Sequence, residues 1–382
     1  MLTIATYAQE AARTDRLAEA EPDLAFPLLG VFGETGSLLS EVKKKQRDPT
    51  AYIGYEASVL EEFGDVLWYV AAVARRAGLE LSWLFANAGD RDPDAHATLN
   101  FSDLQAPSAQ ITWIPQPTAD FERTLLRLSA EVGLIMVDFD AGRLDRNKWA
   151  LAGRLVSMLR TLTAAADDAG ITLADAATEN LRKIKDRWPD ERHYPPPFDL
   201  SFPIHEQFAR TMVFEIREID MAKGKVSQIS MDGQPLGDPL TDNRQDDDDY
   251  RFHDVFHMAY AAVLGWSPTL RRLLKRKRKS DARIDETQDG ARAVLIEEGI
   301  ATWIFNHAQR LELFANVNSL DYAMLKSVKE FVRGYEAERC PLWAWEEAIL
   351  QGYVAFRAVK MHRSGRLHLD LDSRALTFEP LE

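Results

Sequence analysis

The segment Glu61-Glu62-Phe63-Gly64-Asp65-Val66-Leu67-Trp68-Tyr69 constrains this chain most, because it must bury one face while holding acids together on another. Leu60, Phe63, Val66, Leu67 and Val70 recur at helical spacing and form an apolar stripe. Glu62 and Asp65 then stand one turn apart on the same side. The segment around Gly33-Glu34-Thr35-Gly36 shows the same periodicity, and Glu34 and Glu41 also share a side. Unit charges about 4 Å apart repel by roughly 4 kcal/mol at an effective dielectric near 20. A hard divalent cation relieves that repulsion, and Mg²⁺ favours a few carboxylates together with water and phosphate oxygens. The pattern predicts a magnesium site built between two helices, with Mn²⁺ as the alternative ion. The competing reading of Glu34, Glu61, Glu62 and Asp65 is a solvated helix face, the usual place for charge.

A chain of 382 residues exceeds one ordinary core and predicts two or three domains. No run of eighteen apolar residues occurs, so no membrane span is expected. The first ten residues lack the basic start and apolar core of a signal peptide. Cys340 is the single cysteine, which excludes an internal disulfide and a cysteine-rich zinc site. A cytoplasmic enzyme fits best. The net charge of −14 argues against broad nucleic-acid binding, which usually needs a basic face.

The expected fold is mainly α. Residues 1–88 read as helical, with Leu17 to Val42 as one helix or two, broken near Pro22 and Pro27. Lys43 to Pro49 reads as a basic turn, and Ala51 to Ala77 as a long helix closed by Gly78. Residues 89–118, with four prolines, read as a linker. Residues 119–189 restart the pattern. Leu128 to Ile135 echoes Val31 to Leu38, and Leu155 to Leu173 parallels Val66 to Leu81, which suggests an internal duplication. Residues 190–200, with Pro195-Pro196-Pro197, form a stiff second linker. Residues 201–382 are expected to be mostly helical, with a small β-hairpin. Met212, Phe214 and Ile216, then Ile229 and Met231, alternate with polar residues around Gly224. Helices resume near Tyr250 and run to about Arg363.

Residues 28–88 resemble the MazG-like, all-α nucleoside triphosphate pyrophosphohydrolases. The resemblance rests on Gly33-Glu34-Thr35-Gly36, on Glu41-Val42-Lys43-Lys44-Lys45 with Arg47-Asp48, and on Glu61 to Tyr69. That family carries an ExxE pair on one helix and an ExxD pair on another, which hold Mg²⁺ against the phosphates of an NTP. Water attacks at the α–β linkage and releases a nucleoside monophosphate and pyrophosphate. The resemblance implies Glu34, Glu62 and Asp65 as metal ligands and Glu61 as a water-orienting base beside Glu62. Ser37 stands where the family has its second glutamate. Glu41, one turn further on, is the substitute ligand; otherwise Ser37 binds the ion, or the site holds fewer ions.

The second copy keeps Glu131 opposite Glu34 but has no acidic pair in Leu155-Val156-Ser157-Met158, so it should hold no metal. Its Asn180 and Lys183 resemble the family's NxxK nucleotide-binding segment, which the first copy lacks after Asn87. Family members usually assemble sites from helices of two subunits. This chain is therefore expected to fuse such a pair into one asymmetric site, with Lys183 and Arg187 neutralising phosphate. Further self-association into a homo-oligomer stays open. Lys44 and Arg47 either contact triphosphate or complement the helix C-terminal dipole. Phe26, Trp68 and Tyr69 are candidates to stack on a base.

In the last region His253 and His257, four apart, have the spacing that lets two imidazoles share one metal. Asp254, Glu297 and Glu298 are candidate carboxylates for this second site, and His307 a further nitrogen. Ordinary core histidines are the competing reading. The stretch is similar to the C-terminal module that accompanies some bacterial MazG-like proteins. Arg271 to Lys279 is strongly basic and reads either as a phosphate or acidic-partner site, or as a solvated helix end balanced by Asp246 to Asp249. The expected function is Mg²⁺-dependent hydrolysis of an NTP or dNTP. The alternatives are a nucleotide sensor that has lost hydrolysis and a hydrolase seated at His253 and His257.

Overall fold

The computed structural model describes residues 1–15, 23–107, 110–144, 147–222 and 224–381. They form two compact units, Met1–Pro189 and Asp190–Glu382, each with its own hydrophobic core. No helix among the described residues is long and apolar enough to cross a membrane.

The first unit consists of helices α1 (Ile4–Ala12), α2 (Ala25–Arg47), α3 (Tyr55–Arg76), α4 (Leu81–Ala88), α5 (Ala119–Asp140), α6 (Lys148–Ala169) and α7 (Leu173–Arg187), with short 3₁₀ turns. Helix α3 buries Val59, Phe63, Val66, Leu67, Val70 and Val73 completely, which matches the expected stripe except that Leu60 is only half-buried. Helix α2 packs on α3, and α5 on α6; α7 lies against α3. Gly78 and Gly170 adopt the left-handed conformation, at φ +66° and +69°, just after α3 and α6 respectively. Each turns the chain into the next helix, so the order α2–α3–α4 recurs as α5–α6–α7 around one shared core.

Several sequence expectations change. Residues 16–22, at the start of the helix expected from Leu17, lie outside the described residues. Pro27 does not break α2; it sits in the first turn, where backbone N–H groups have no helical partner to lose. Lys43 to Arg47 is the last turn of α2 rather than a loop, with Lys44, Lys45 and Arg47 at the negative end of the dipole. Residues 89–118 are not a free linker, because Phe101 and Leu104 enter the core.

The second unit wraps helices and a sheet around α8 (Asp254–Leu264), all of whose residues are buried. Around it lie α9 (Pro268–Leu273), α10 (Ala282–Thr287), α11 (Ala291–Ala308), α12 (Tyr322–Phe331) and α13 (Leu342–His362). The expected hairpin, β1 (Thr211–Met221) with β2 (Gly224–Met231), is part of a larger antiparallel sheet. With β3 (Gln234–Leu240), β4 (Ser364–Asp370) and β5 (Ala375–Pro380) the order is β3-β2-β1-β4-β5. Met212 pairs with Leu369 and Phe214 with Leu367, and these buried residues face the core. Strand β3 carries Pro235, Gly237 and Pro239, a loop-like composition that a strand tolerates at the sheet edge. The expected 190–200 linker is also tied down: Phe198 joins the core and Tyr194 packs edge-on against Trp343, ring centres 4.7 Å apart.

Candidate functional site

Helices α2 and α3 bring Glu34, Glu62 and Asp65 together. Each offers a carboxylate oxygen, and these atoms lie within 4.8 Å of one another, all half-buried. Burial, and then the charges of Glu34, Asp65 and Glu61, push the Glu62 carboxyl up to about 8. Glu62 Oε2 is buried with no hydrogen-bond partner among the described residues. At neutral pH a proton therefore sits where two carboxylates face each other, and a divalent cation would displace it.

Helix α7 supplies the partners of Asp65. Asn180 Nδ2 donates to Asp65 Oδ1 at 2.9 Å, and Tyr7 OH donates to Asn180 Oδ1 at 2.9 Å. Lys183 Nζ donates to Asp65 Oδ2 at 2.5 Å and lies 3.5 Å from Glu61 Oε1. Burial raises the Asp65 carboxyl, and the Lys183 ammonium offsets part of that rise. This contact depends on Gly64. A Cβ there would stand 2.8 Å from both the Ala176 carbonyl oxygen and Asn180 Cβ on α7. Glycine at this place lets α7 come close enough to deliver Asn180 and Lys183.

The other expected residues are placed differently. Glu41 is buried but outside the acidic trio, and its carboxylate accepts from Lys44 Nζ at 2.5 Å and from the Tyr52 hydroxyl. Arg47 is exposed and pairs with the adjacent Asp48. Arg187 lies 4.4 Å over the Trp188 ring. Asn180 is committed to Asp65 and Tyr7, which makes it a positioning residue. Sequence reasoning missed Tyr7, because nothing local links it to Asn180. Tyr69 contacts both Phe26 and Trp68 edge-on, and it crosses the open face of Gly30. Among the described residues α5, α6 and α7 form no metal-type cluster of their own.

In the second unit His253, Asp254 and His257 form another group, with one possible ligand atom each within 4.8 Å of the others. His253 ends the 3₁₀ turn that precedes α8, and its ring stacks on Tyr250 with centres 4.4 Å apart. His257 Nδ1 lies 2.9 Å from Glu297 Oε1, and its Nε2 lies 3.4 Å from Glu298 Oε2. Burial opposes charge on His257, but the two carboxylates outweigh it and hold the imidazole well above its ordinary range. His307 is turned to the Trp303 carbonyl, 2.9 Å from Nδ1, and does not join.

The basic run divides: Arg272, Lys275 and Lys279 are exposed, while two of its arginines turn inward. Arg271 and Arg278 are buried, Arg271 on Asp199 at 2.8 Å and Arg278 on Asp289 at 2.6 Å and Glu336 at 2.7 Å. Within the acidic run Asp248 pairs with Arg244, and Asp249 with Arg251, Lys360 and Arg363, none of which belongs to the basic run. Buried charges need hydrogen-bonded partners, and here they come from distant segments that sequence spacing does not reveal.

Residues 193–382, essentially the second unit, match the MazG C-terminal domain, which supports a relation of the chain to MazG proteins. Over 61 residues it is 38% identical to the Gene 37 protein of Mycobacterium phage L5, covering 15% of this chain and 54% of that protein. The chain thus spans about half the length of this curated relative. No solved structure matches the chain.

Proposed function

We propose that the first unit is a nucleoside triphosphate pyrophosphohydrolase dependent on Mg²⁺, with Mn²⁺ as a substitute. The observation that carries this reading is the Glu34–Glu62–Asp65 trio, in which burial and the neighbouring carboxylates push the Glu62 carboxyl up to about 8. Those three carboxylates would hold the ion, which when bound would polarise the phosphates and lower the pKa of the attacking water. Glu61, beside Lys183, takes the water proton as the new P–O bond forms and the α–β bridging P–O bond breaks. Lys183, held beside Asp65 and Glu61, would meet the charge of the departing pyrophosphate. Asn180 keeps Asp65 in place throughout. Phe26, Trp68 and Tyr69 offer aromatic faces for the base.

Product analysis by phosphorus NMR, with a panel of NTPs and dNTPs in Mg²⁺, tests the reading. Wild type should give monophosphate plus pyrophosphate, and Glu62→Gln should lower turnover by a factor of about 10² or more. The second reading, a nucleotide sensor, is favoured by Ser37 and by Lys183 already neutralising Asp65. Nucleotide-induced stabilisation without turnover in wild type would establish it instead.

A further inference from the structure

The two histidines of the second unit are held in a way that the pyrophosphohydrolase reading does not use. His253 Nδ1 lies 2.9 Å from the Tyr250 carbonyl oxygen, to which it donates, so Nε2 is the ring nitrogen left to face the cluster. His257 Nδ1 faces Glu297 Oε1, and Glu297 is itself fixed by Ser267 Oγ at 2.6 Å and the Thr269 backbone N–H at 2.8 Å. Both Nε2 atoms therefore converge on one carboxylate oxygen, Glu298 Oε2, at 3.5 Å from His253 and 3.4 Å from His257. Asp254 adds a carboxylate to the same cluster.

An ion-pair network alone does not account for this arrangement. His257 is completely buried, yet neither of its ring nitrogens makes an aligned hydrogen bond, although carboxylates flank both. A buried imidazole left in that state is costly unless another group completes it. Metal-binding histidines are characteristically oriented through the opposite ring nitrogen by a carboxylate or a backbone carbonyl, and His257 and His253 have one of each.

We propose that His253, His257, Asp254 and Glu298 bind a first-row transition-metal dication of the Zn²⁺ or Mn²⁺ class, with Glu297 and Tyr250 as the supports that orient the imidazoles. Two imidazole nitrogens with carboxylate oxygens suit these ions, whereas Mg²⁺ and Ca²⁺ prefer oxygen alone. Glu298, with its side chain 33% exposed, is the member in contact with solvent, so the ion reaches the centre from that side.

The test uses the full chain carrying Glu62→Gln, which removes a ligand of the first unit's acidic trio. Co²⁺ is titrated by its visible absorption, and Zn²⁺ is counted by elemental analysis after dialysis. One ion per chain, with a Co²⁺ spectrum typical of nitrogen ligation, is expected. Adding His253→Gln or Glu298→Gln should abolish that spectrum, while far-ultraviolet circular dichroism of the metal-free protein stays unchanged. Glu297→Gln, which touches only the support, should weaken binding about 10–100-fold. Absence of stoichiometric metal, or binding that is the same with His253 and Glu298 both replaced, would overturn the assignment.

Discussion

Glu62 ties the charge state of the first unit to its stability. Its folded-state pKa of about 8 lies above the ordinary glutamate value of 4.5. The native state therefore binds a proton that the unfolded chain releases, and stability falls as pH rises from 4.5 towards 8. Metal-free protein should melt at a higher temperature near pH 5 than near pH 8, and Glu62→Gln should flatten that slope. Saturating Mg²⁺ should restore the loss at the alkaline end, because the ion replaces the proton. Equal melting temperatures across that range in metal-free wild type would contradict this account. At this scale the sequence was readable where partners are local: Glu62 and Asp65 share a helix side by spacing alone. It was unreadable where they are distant, as with Tyr7 on Asn180 or Tyr52 on Glu41.

Helices α3 and α7 meet across Gly64, and the cost of filling that gap can be weighed. Alanine at position 64 gains up to about 1 kcal/mol of helix propensity. Its Cβ, however, meets backbone and side chain of α7 at 2.8 Å, an overpacking that typically costs about 1–3 kcal/mol. Gly64→Ala should therefore lower the urea midpoint of the first unit and loosen Lys183 from Asp65. Gly33→Ala is the matched control, since nothing lies within 4 Å of a Cβ there, and it should be neutral or stabilising. Element existence was legible for α3 because an amphipathic stripe persists over several turns. Strands β4 and β5 were not assigned, although Leu367, Leu369 and Leu371 alternate with Arg366, His368 and Asp370. Their alternation becomes meaningful only once β1 pairs with β4, far along the chain.

The whole molecule holds two cores, and calorimetry should resolve more than one unfolding transition. Nucleotide with Mg²⁺ should raise only the transition of the first unit. Arg278→Ala, which strands Asp289 and Glu336, should lower only that of the second, by an amount corresponding to about 3–5 kcal/mol. A single transition that shifts in both experiments would show the units to unfold as one. The mainly α class was legible from helical periodicity, whereas the buried arginines were not, because a basic run looks alike in sequence whether it faces water or carboxylates. The pairing of Asp65 with Asn180 and Lys183 also carries a consequence for biosynthesis. A nascent chain that has emerged only as far as α4 holds three crowded acids with neither partner yet made. The centre is completed only when α7 leaves the ribosome, so premature termination anywhere before residue 183 yields an unfinished site whatever else has folded.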